Sequence, residues 1–176
     1  MKTDPKSLRA SLDALKEANS VRSERNKLEG LPKLNEHLWP PETILRGIPT
    51  LVSGIYKKPS EMLLVRFAYA GAWTEAIHGL SFLSVRQMEE AWADADIAEI
   101  LKIRQECRDS SPPAVIPWNR ITLFGVYREQ AEEIYLVWGD DGDEPMIVSY
   151  VSNFEERFDD LGDFVLAYSR INGGAD

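Results

Sequence analysis

The stretch ITLFGVYREQAEEIYLVWGDDGDEPMIVSYV, residues 121–151, decides the fold class of this chain. It contains three short runs rich in Ile, Val, Tyr, Phe and Trp, which favour pleated strands: 121–127, 133–138 and 146–151. The Asp-Gly pair at 141–142 is a typical turn signal between the last two runs. Pro145 suits the first position of a strand. The stretch therefore predicts antiparallel strands joined by hairpins.

Helical patterns flank these strands on both sides. Downstream, Leu161, Phe164, Val165 and Tyr168 recur at the spacing of one helix face, which predicts a helix over 161–170 that Asp160 and Asp163 can cap. Upstream, the sequence has a capping box with a hydroxyl at the cap and an amide three residues later, at Ser84 and Gln87. Apolar residues then follow at helical spacing, and we expect a helix over 85–106 with a break near 94–96.

The first thirty residues form a separate pattern. Asp4 followed by Pro5 is typical of a helix start, and Leu8, Leu12 and Leu15 follow at helical spacing. This predicts a helix over 5–28 with a narrow apolar face, able to dock on the domain or on another subunit. The next segment, 31–49, contains four prolines and is expected to hold little regular structure.

Two further strands are predicted between the proline-rich segment and the upstream helix. Residues 51–56 form one apolar run, and 62–69 form another. In the second run, Leu63, Val65, Phe67 and Tyr69 alternate with the residues of the other face. Strict alternation is typical of a half-buried antiparallel strand.

Together these patterns predict an α+β protein. We expect a mainly antiparallel sheet of about five or six strands with helices packed on it, plus an N-terminal helical arm. The arm is assigned to residues 1–30 and a single α+β domain to 31–176. A chain of 176 residues, 44% of them hydrophobic, is long enough to bury a core without disulfide support.

The negative charge of the chain is concentrated in its C-terminal third. The formal net charge is −9, yet residues 128–163 alone carry twelve acidic residues against Arg128 and Arg157. Such a surface repels phosphate backbones and attracts basic proteins, so a nucleic-acid partner is not expected. Plain solubility is the alternative explanation of the same pattern.

The compartment is expected to be the cytoplasm. Cys107 is the only cysteine, so no intramolecular disulfide can form, which favours a reducing environment. The N-terminal segment is polar and lacks the apolar stretch of a secretory signal. The longest apolar runs are too short to cross a bilayer, so no membrane partner is expected.

Few residues of the sequence point to catalysis or to a cofactor. His37 and His78 lie far apart with no partner at a zinc-ligand spacing, and Cys107 has no base beside it. The acidic run 140–144 lacks the alternating ligands of a calcium loop. Glu132 and Glu133 are neighbours in a predicted strand, so they face opposite ways. We therefore expect no metal, no cofactor and no enzymatic activity.

The second half of the chain carries a pattern of residue classes shared with a known family. Its parts are a proline-led start of the sheet, a strand pair, a strand led by Glu-Pro, and a phenylalanine before an acidic, helix-opening turn: 115–118, 121–125 with 133–138, 144–150 and 158–165. The segment 79–84 with Gln87 and Met88 fits the family's upstream strand and helix. The chain thus resembles the Smi1/Knr4-like, or SUKH, superfamily. That resemblance implies a relative of bacterial immunity proteins, which neutralise toxins including nucleases, or of a fungal cell-wall regulator. It transfers no catalytic residue.

These observations predict a non-catalytic module that binds a basic protein, with a toxin or nuclease domain implied by the resemblance. The expected contact residues are seven acidic side chains: Asp140, Asp141, Asp143 and Glu144 on the hairpin turn, and Glu155, Glu156 and Asp159 beyond the next strand. A small bacterial enzyme is the first alternative, and it requires a pocket lined by at least two residues of one set: His37, His78, Cys107, Arg66 and Glu75. A scaffold that dimerises through its N-terminal helix is the second alternative.

Overall fold

A computed structural model describes residues 4–106, 116–140, 144–151 and 154–173. Its described strands, in chain order, are β1 (His37–Leu38), β2 (Ile48–Pro49), β3 (Tyr56–Lys57), β4 (Trp73–Ile77), β5 (Leu80–Phe82), β6 (Ile121–Tyr127), β7 (Glu132–Val137), β8 (Met146–Val151) and β9 (Phe154–Phe158). Seven of them form one antiparallel sheet in the order β1-β4-β5-β6-β7-β8-β9, while β2 and β3 form a separate hairpin. From β4 to β9, strands that are consecutive in sequence are neighbours in the sheet, and β1 pairs with the outer side of β4.

The described helices are α1 (Pro5–Leu28), α2 (Glu61–Tyr69), α3 (Val85–Glu89), α4 (Ala95–Glu106) and α5 (Leu161–Gly173). Helices α1, α2 and α5 contact one another, and Tyr168 of α5 reaches Glu156 of β9. Arg104 of α4 lies over the Tyr150 ring, and Tyr150 pairs with Glu155 across β8 and β9. Because Glu155 and Glu156 face opposite sides of a strand, α4 and α5 cover opposite faces of the sheet. The predicted α+β architecture is confirmed.

Helix α1 forms as its sequence predicts. The Asp4 side chain accepts hydrogen bonds from the backbone N–H groups of Lys6 and Ser7, which satisfies donors that the first turn leaves free. Its leucine stripe is fully buried, mainly against α5 and α2: Leu8, Leu12 and Leu15. The apolar face of α1 is therefore occupied within the chain, so the same face is not available for dimerisation.

The strands predicted at 121–127, 133–138 and 146–151 are confirmed, with the middle one spanning Glu132–Val137. The final helix is also confirmed, and its predicted stripe is buried: Leu161, Phe164, Val165 and Tyr168. Ser84 and Gln87 form a complete capping box at α3. The upstream helix is interrupted, but the break between α3 and α4 spans 90–94 and thus lies earlier than the predicted 94–96.

The prediction of a strand at 62–69 is wrong, because this segment is helix α2. Ser60 caps it by accepting a hydrogen bond from the Leu63 N–H, and Glu61 lies in the first turn, where a negative charge stabilises a helix. The buried residues fall on one helical stripe rather than on alternate positions: Met62, Leu63, Arg66 and Phe67. The apolar residues of 62–69 therefore fit both the two-residue period of a strand and the 3.6-residue period of a helix. Packing against α1 selects the helix.

The strand predicted at 51–56 is also wrong, since this segment mainly forms the turn between β2 and β3. Conversely, β1, β4 and β9 were not among the strands assigned from sequence, whereas β5 lies in segment 79–84, which the family resemblance implied as a strand. With β5 and the three confirmed strands, they bring the main sheet to seven strands, above the expected number. Strand β9 was missed because most of its residues are charged and exposed. Within the described ranges, no helix is long and apolar enough to cross a membrane.

Candidate functional site

Strand β9 forms one edge of the sheet. It pairs with β8 in a register without a bulge, from Val151 opposite Phe154 to Ile147 opposite Phe158. No described strand pairs with its outer side. Residues 154–157 are exposed, and the Phe154 side chain is 73% exposed. At the other end of the strand, Phe158 packs on Phe164 with ring centroids 5.3 Å apart, which holds β9 against α5.

The five predicted contact residues that the structure describes lie in two groups. Asp141 and Asp143 lie outside the described residues. Asp140 is highly exposed and pairs with Arg120 at 3.1 Å. Glu144, four positions later, is half-buried. Exposed Asp159 follows Phe158, which pairs with the start of β8, so Asp159 lies at the sheet end where β7 ends and β8 begins.

Glu155 and Glu156 lie nearer the other end of β9 and face opposite sides of the sheet. Glu155 accepts a hydrogen bond from the Tyr150 hydroxyl at 3.1 Å and pairs with Arg157 at 2.7 Å. Glu156 accepts one from the Tyr168 hydroxyl at 3.0 Å. Burial, together with Glu156, raises the pKa of Tyr168 to about 12, so this hydroxyl stays a donor at neutral pH. Both carboxylates are thus oriented by tyrosines, and the Glu155 side chain remains 26% exposed.

Three other acids of the C-terminal third have structural positions and do not add to its outer surface. Glu133 is 1% exposed and receives three hydrogen bonds from the Arg104 side chain, from Nε to Oε1 at 3.0 Å and to Oε2 at 3.2 Å, and from Nη2 to Oε2 at 2.8 Å. Glu132 is buried. Asp160 is buried and accepts a hydrogen bond from the Asp163 N–H at the start of α5. Among the described acids of this third, the exposed ones therefore lie on β9, at the sheet end where β7 ends and β8 begins, and at Glu129 after β6.

A cleft of about 570 Å³ lies next to β9. We call it the His78 cleft, and its walls come from α1, α5, the β4–β5 turn and the strand ends: Arg22, His78, Tyr127, Gln130, Glu132, Val151, Phe154, Glu156, Tyr168 and Ile171. Phe154 and Glu156 thus belong both to the edge strand and to the cleft. The cleft and the acidic edge form one continuous surface.

The β4–β5 turn places His78 in this cleft. Ile77 pairs with Leu80, and the two residues between them have φ values of +45° at His78 and +91° at Gly79. Two positive φ values in a two-residue hairpin are typical of a type I′ turn. A Cβ on residue 79 would lie 2.8 Å from the Tyr127 ring, so glycine is required there both for the backbone and for space.

Arg22 determines the protonation of His78. Its Nη1 lies 3.0 Å from His78 Nδ1, and a guanidinium can only donate, so Nδ1 accepts and the ring proton is on Nε2. Burial and the neighbouring Arg22 charge lower the pKa of His78, which keeps the ring neutral at pH 7. The ring also contacts Tyr168 edge-on, with centroids 6.5 Å apart. His78 is thus a fixed hydrogen-bond donor and is not a cation.

The other residues of the enzyme hypothesis are dispersed. His37 packs against Trp39 at the opposite sheet edge, and Glu75 accepts a hydrogen bond from the Asn35 N–H. Arg66 is buried among phenylalanine rings, and Cys107 lies outside the described residues. The His78 cleft contains one member of the set, whereas that hypothesis requires two. In the described part of the chain, no three His, Cys, Asp or Glu residues are grouped to hold a metal ion.

Sequence reasoning missed Phe154 and the pairing of Arg22 with His78. The His-Gly pair between two short apolar runs was a usable hairpin signal, whereas the contact between α1 and the β4–β5 turn spans 56 positions and leaves no local trace.

Comparison of the chain with protein-family models, curated proteins and solved structures gives no match. The function is therefore inferred from the geometry of β9 and the His78 cleft.

Proposed function

We propose that this chain is a non-catalytic module that binds a basic protein partner through the acidic edge, which we define as Glu155, Glu156 and Asp159. The observation that carries the proposal is the open strand β9, which begins with an exposed phenylalanine, Phe154, followed by Glu155 and Glu156, with Asp159 just beyond its other end. Asp140, which is paired with Arg120, and half-buried Glu144 lie at the same sheet end as Asp159. The partner is thus recognised by charge around an aromatic anchor.

The two kinds of residue have different roles in such an interface. Exposed acids attract a basic surface over about 10 Å at 0.1 M salt and raise the association rate. An aromatic side chain contributes mainly to the lifetime of the complex, because it is desolvated at the centre of the contact. Phe154 is the candidate anchor, and Ile171 of α5 is exposed on the wall of the same cleft.

The resemblance to SUKH immunity proteins supports a finer proposal, in which the partner is a toxin domain and includes the nuclease class. A nuclease is basic where it holds nucleic acid, so the acidic edge complements that surface. Binding there blocks the nucleic-acid site by occupancy and by charge. The mechanism requires no reactive group on this chain.

The test compares two double variants that change the net charge equally. The partner is captured from the cell lysate on the full-length chain at about 50 mM salt and released at about 500 mM. Glu155→Lys with Asp159→Lys is expected to lower its association rate at least about tenfold at low salt. Glu17→Lys with Glu24→Lys, on the exposed side of α1, is the matched control and is expected to have a small effect.

Equal association rates for the two double variants would show that the acidic edge is not the binding surface. A Phe154→Ala variant tests the role of the aromatic anchor. It is expected to speed dissociation of the complex while the association rate changes little. For the toxin proposal, the released partner is assayed for nuclease activity with and without the chain. Activity that persists in the complex would contradict neutralisation.

A further inference from the structure

The two edges of the main sheet are protected to different degrees. Natural edges avoid unwanted pairing by being short, bulged, covered or rich in charged residues and proline. Strand β1 follows this rule, since it spans only two residues. Strand β9 spans five residues, has a regular register with β8 and contains no proline, and its charged residues are two glutamates and one arginine. Its acidic charge therefore opposes pairing with another acidic strand but not with a basic one. Alternate residues of β9 direct their N–H and C=O groups away from β8.

We propose that the basic partner adds an extended strand to the outer side of β9, so that the sheet gains an eighth strand from another protein. This inference rests on the proposed function and specifies how the partner binds the acidic edge. Backbone hydrogen bonds hold the added strand, and its alternate side chains face the two sides of the sheet. The occupant is a segment of alternating basic and apolar residues in a partner protein.

The side chains of β9 account for this choice of occupant. On one face, the added strand meets Phe154 and Glu156, which also line the His78 cleft. Neighbouring strands lie about 4.8 Å apart, so a long basic side chain on this face reaches the cleft and the Glu156 carboxylate. On the other face it meets Glu155, which already accepts a hydrogen bond from Tyr150 and pairs with Arg157.

A second copy of the chain is disfavoured as the occupant by charge. Symmetric antiparallel pairing of two β9 strands about Glu156 sets the two Glu156 carboxylates directly opposite each other, and like charges in that position are destabilising. The whole chain also has a net charge of −9, so two copies repel. Charge complementarity therefore selects a basic strand from a different protein.

The test uses a short peptide of alternating lysine and valine as the probe, added to the full ¹⁵N-labelled chain up to about 1 mM. Its matched control carries N-methyl groups on alternate residues, which removes the backbone donors of one edge and leaves every charge and side chain in place. We expect the probe to shift the amide signals of 154–158 and to slow hydrogen exchange at alternate β9 amides. The N-methylated peptide is expected to bind at least about tenfold more weakly than the probe.

Equal binding of both peptides would overturn strand addition and leave a purely electrostatic acidic edge, so the proposed function would stand. Absence of any shift in 154–158 at the highest probe concentration would overturn the inference as well. Protection of β9 amides that grows with protein concentration, without peptide, would assign the edge to a second copy and refute the proposal. The proposed function fails separately, if charge reversal at Glu155 and Asp159 leaves partner association unchanged.

Discussion

Glu133 offers the sharpest test of how burial controls charge in this chain. Its carboxylate is 1% exposed beneath α4, and burial raises its pKa to about 7 although Arg104 opposes the shift. For Arg104, burial lowers the pKa, but the hydrogen bonds and charge of Glu133 outweigh it and leave the pKa raised. The ion pair thus offsets only part of the cost of burying the carboxylate.

The sign of the pH dependence follows from proton binding. Between about pH 4.5 and about pH 7 the folded chain keeps the Glu133 proton while the unfolded chain loses it, so rising pH favours unfolding in that window. Each pKa unit corresponds to about 1.4 kcal/mol. A rise from 4.5 to about 7 therefore lowers the free energy of unfolding by roughly 3 kcal/mol between pH 4 and pH 8.

Glu133→Gln removes this titration and keeps the size of the side chain. The difference in unfolding free energy, variant minus wild type, is expected to rise by roughly 3 kcal/mol from pH 4 to pH 8. Urea denaturation followed by tryptophan fluorescence at a series of pH values measures it, and taking the difference cancels the other titrating groups. Arg104→Met is the complementary variant and is expected to destabilise the chain by about 3–5 kcal/mol at pH 8, because it leaves a buried charge uncompensated. A difference that stays constant or falls with pH would refute the reasoning.

Three further variants test the packing. Phe164→Ala is expected to lower the free energy of unfolding by about 3–5 kcal/mol, since its ring is fully buried; a loss below about 1 kcal/mol in urea denaturation would contradict its core position. Gly79→Ala is expected to lower the melting temperature more than Gly54→Ala, because both have positive φ but only the first sets a Cβ against the Tyr127 ring; equal melting temperatures would disprove that contact. Deleting residues 1–30 is expected to abolish cooperative unfolding in circular dichroism, because Leu12 and its helix neighbours belong to the core; a native-like melt would make α1 dispensable.

Patterns with only one structural solution were predictable from the amino-acid sequence. The cap at Asp4, the capping box at Ser84 and the apolar stripe that begins at Leu161 each involve residues within one or two helical turns, and all are present in the structure. The β-rich runs from 121 to 151 are similarly local, because β-branched and aromatic residues fit a pleated surface. These elements were enough for the α+β class and for most of the central sheet.

Other features depend on what packs against a segment. Residues 62–69 satisfy both a strand pattern and a helix pattern, and the contact of α2 with α1 determines which is realised. The composition of β9 gave no strand signal, because an edge strand beside solvent needs few apolar residues. The pairing of Arg22 with His78 likewise requires α1 to pack next to the β4–β5 turn.

The acidic third of the chain shows the same division most clearly. Composition was sufficient to locate the negative charge between 128 and 163, and with it the expectation of a basic partner. Glu133 and Glu155 look alike in sequence, yet one is buried under Arg104 in an inner strand and the other is exposed on the edge. Strand order sets this difference, because a carboxylate is desolvated by the layers above it and not by its sequence neighbours.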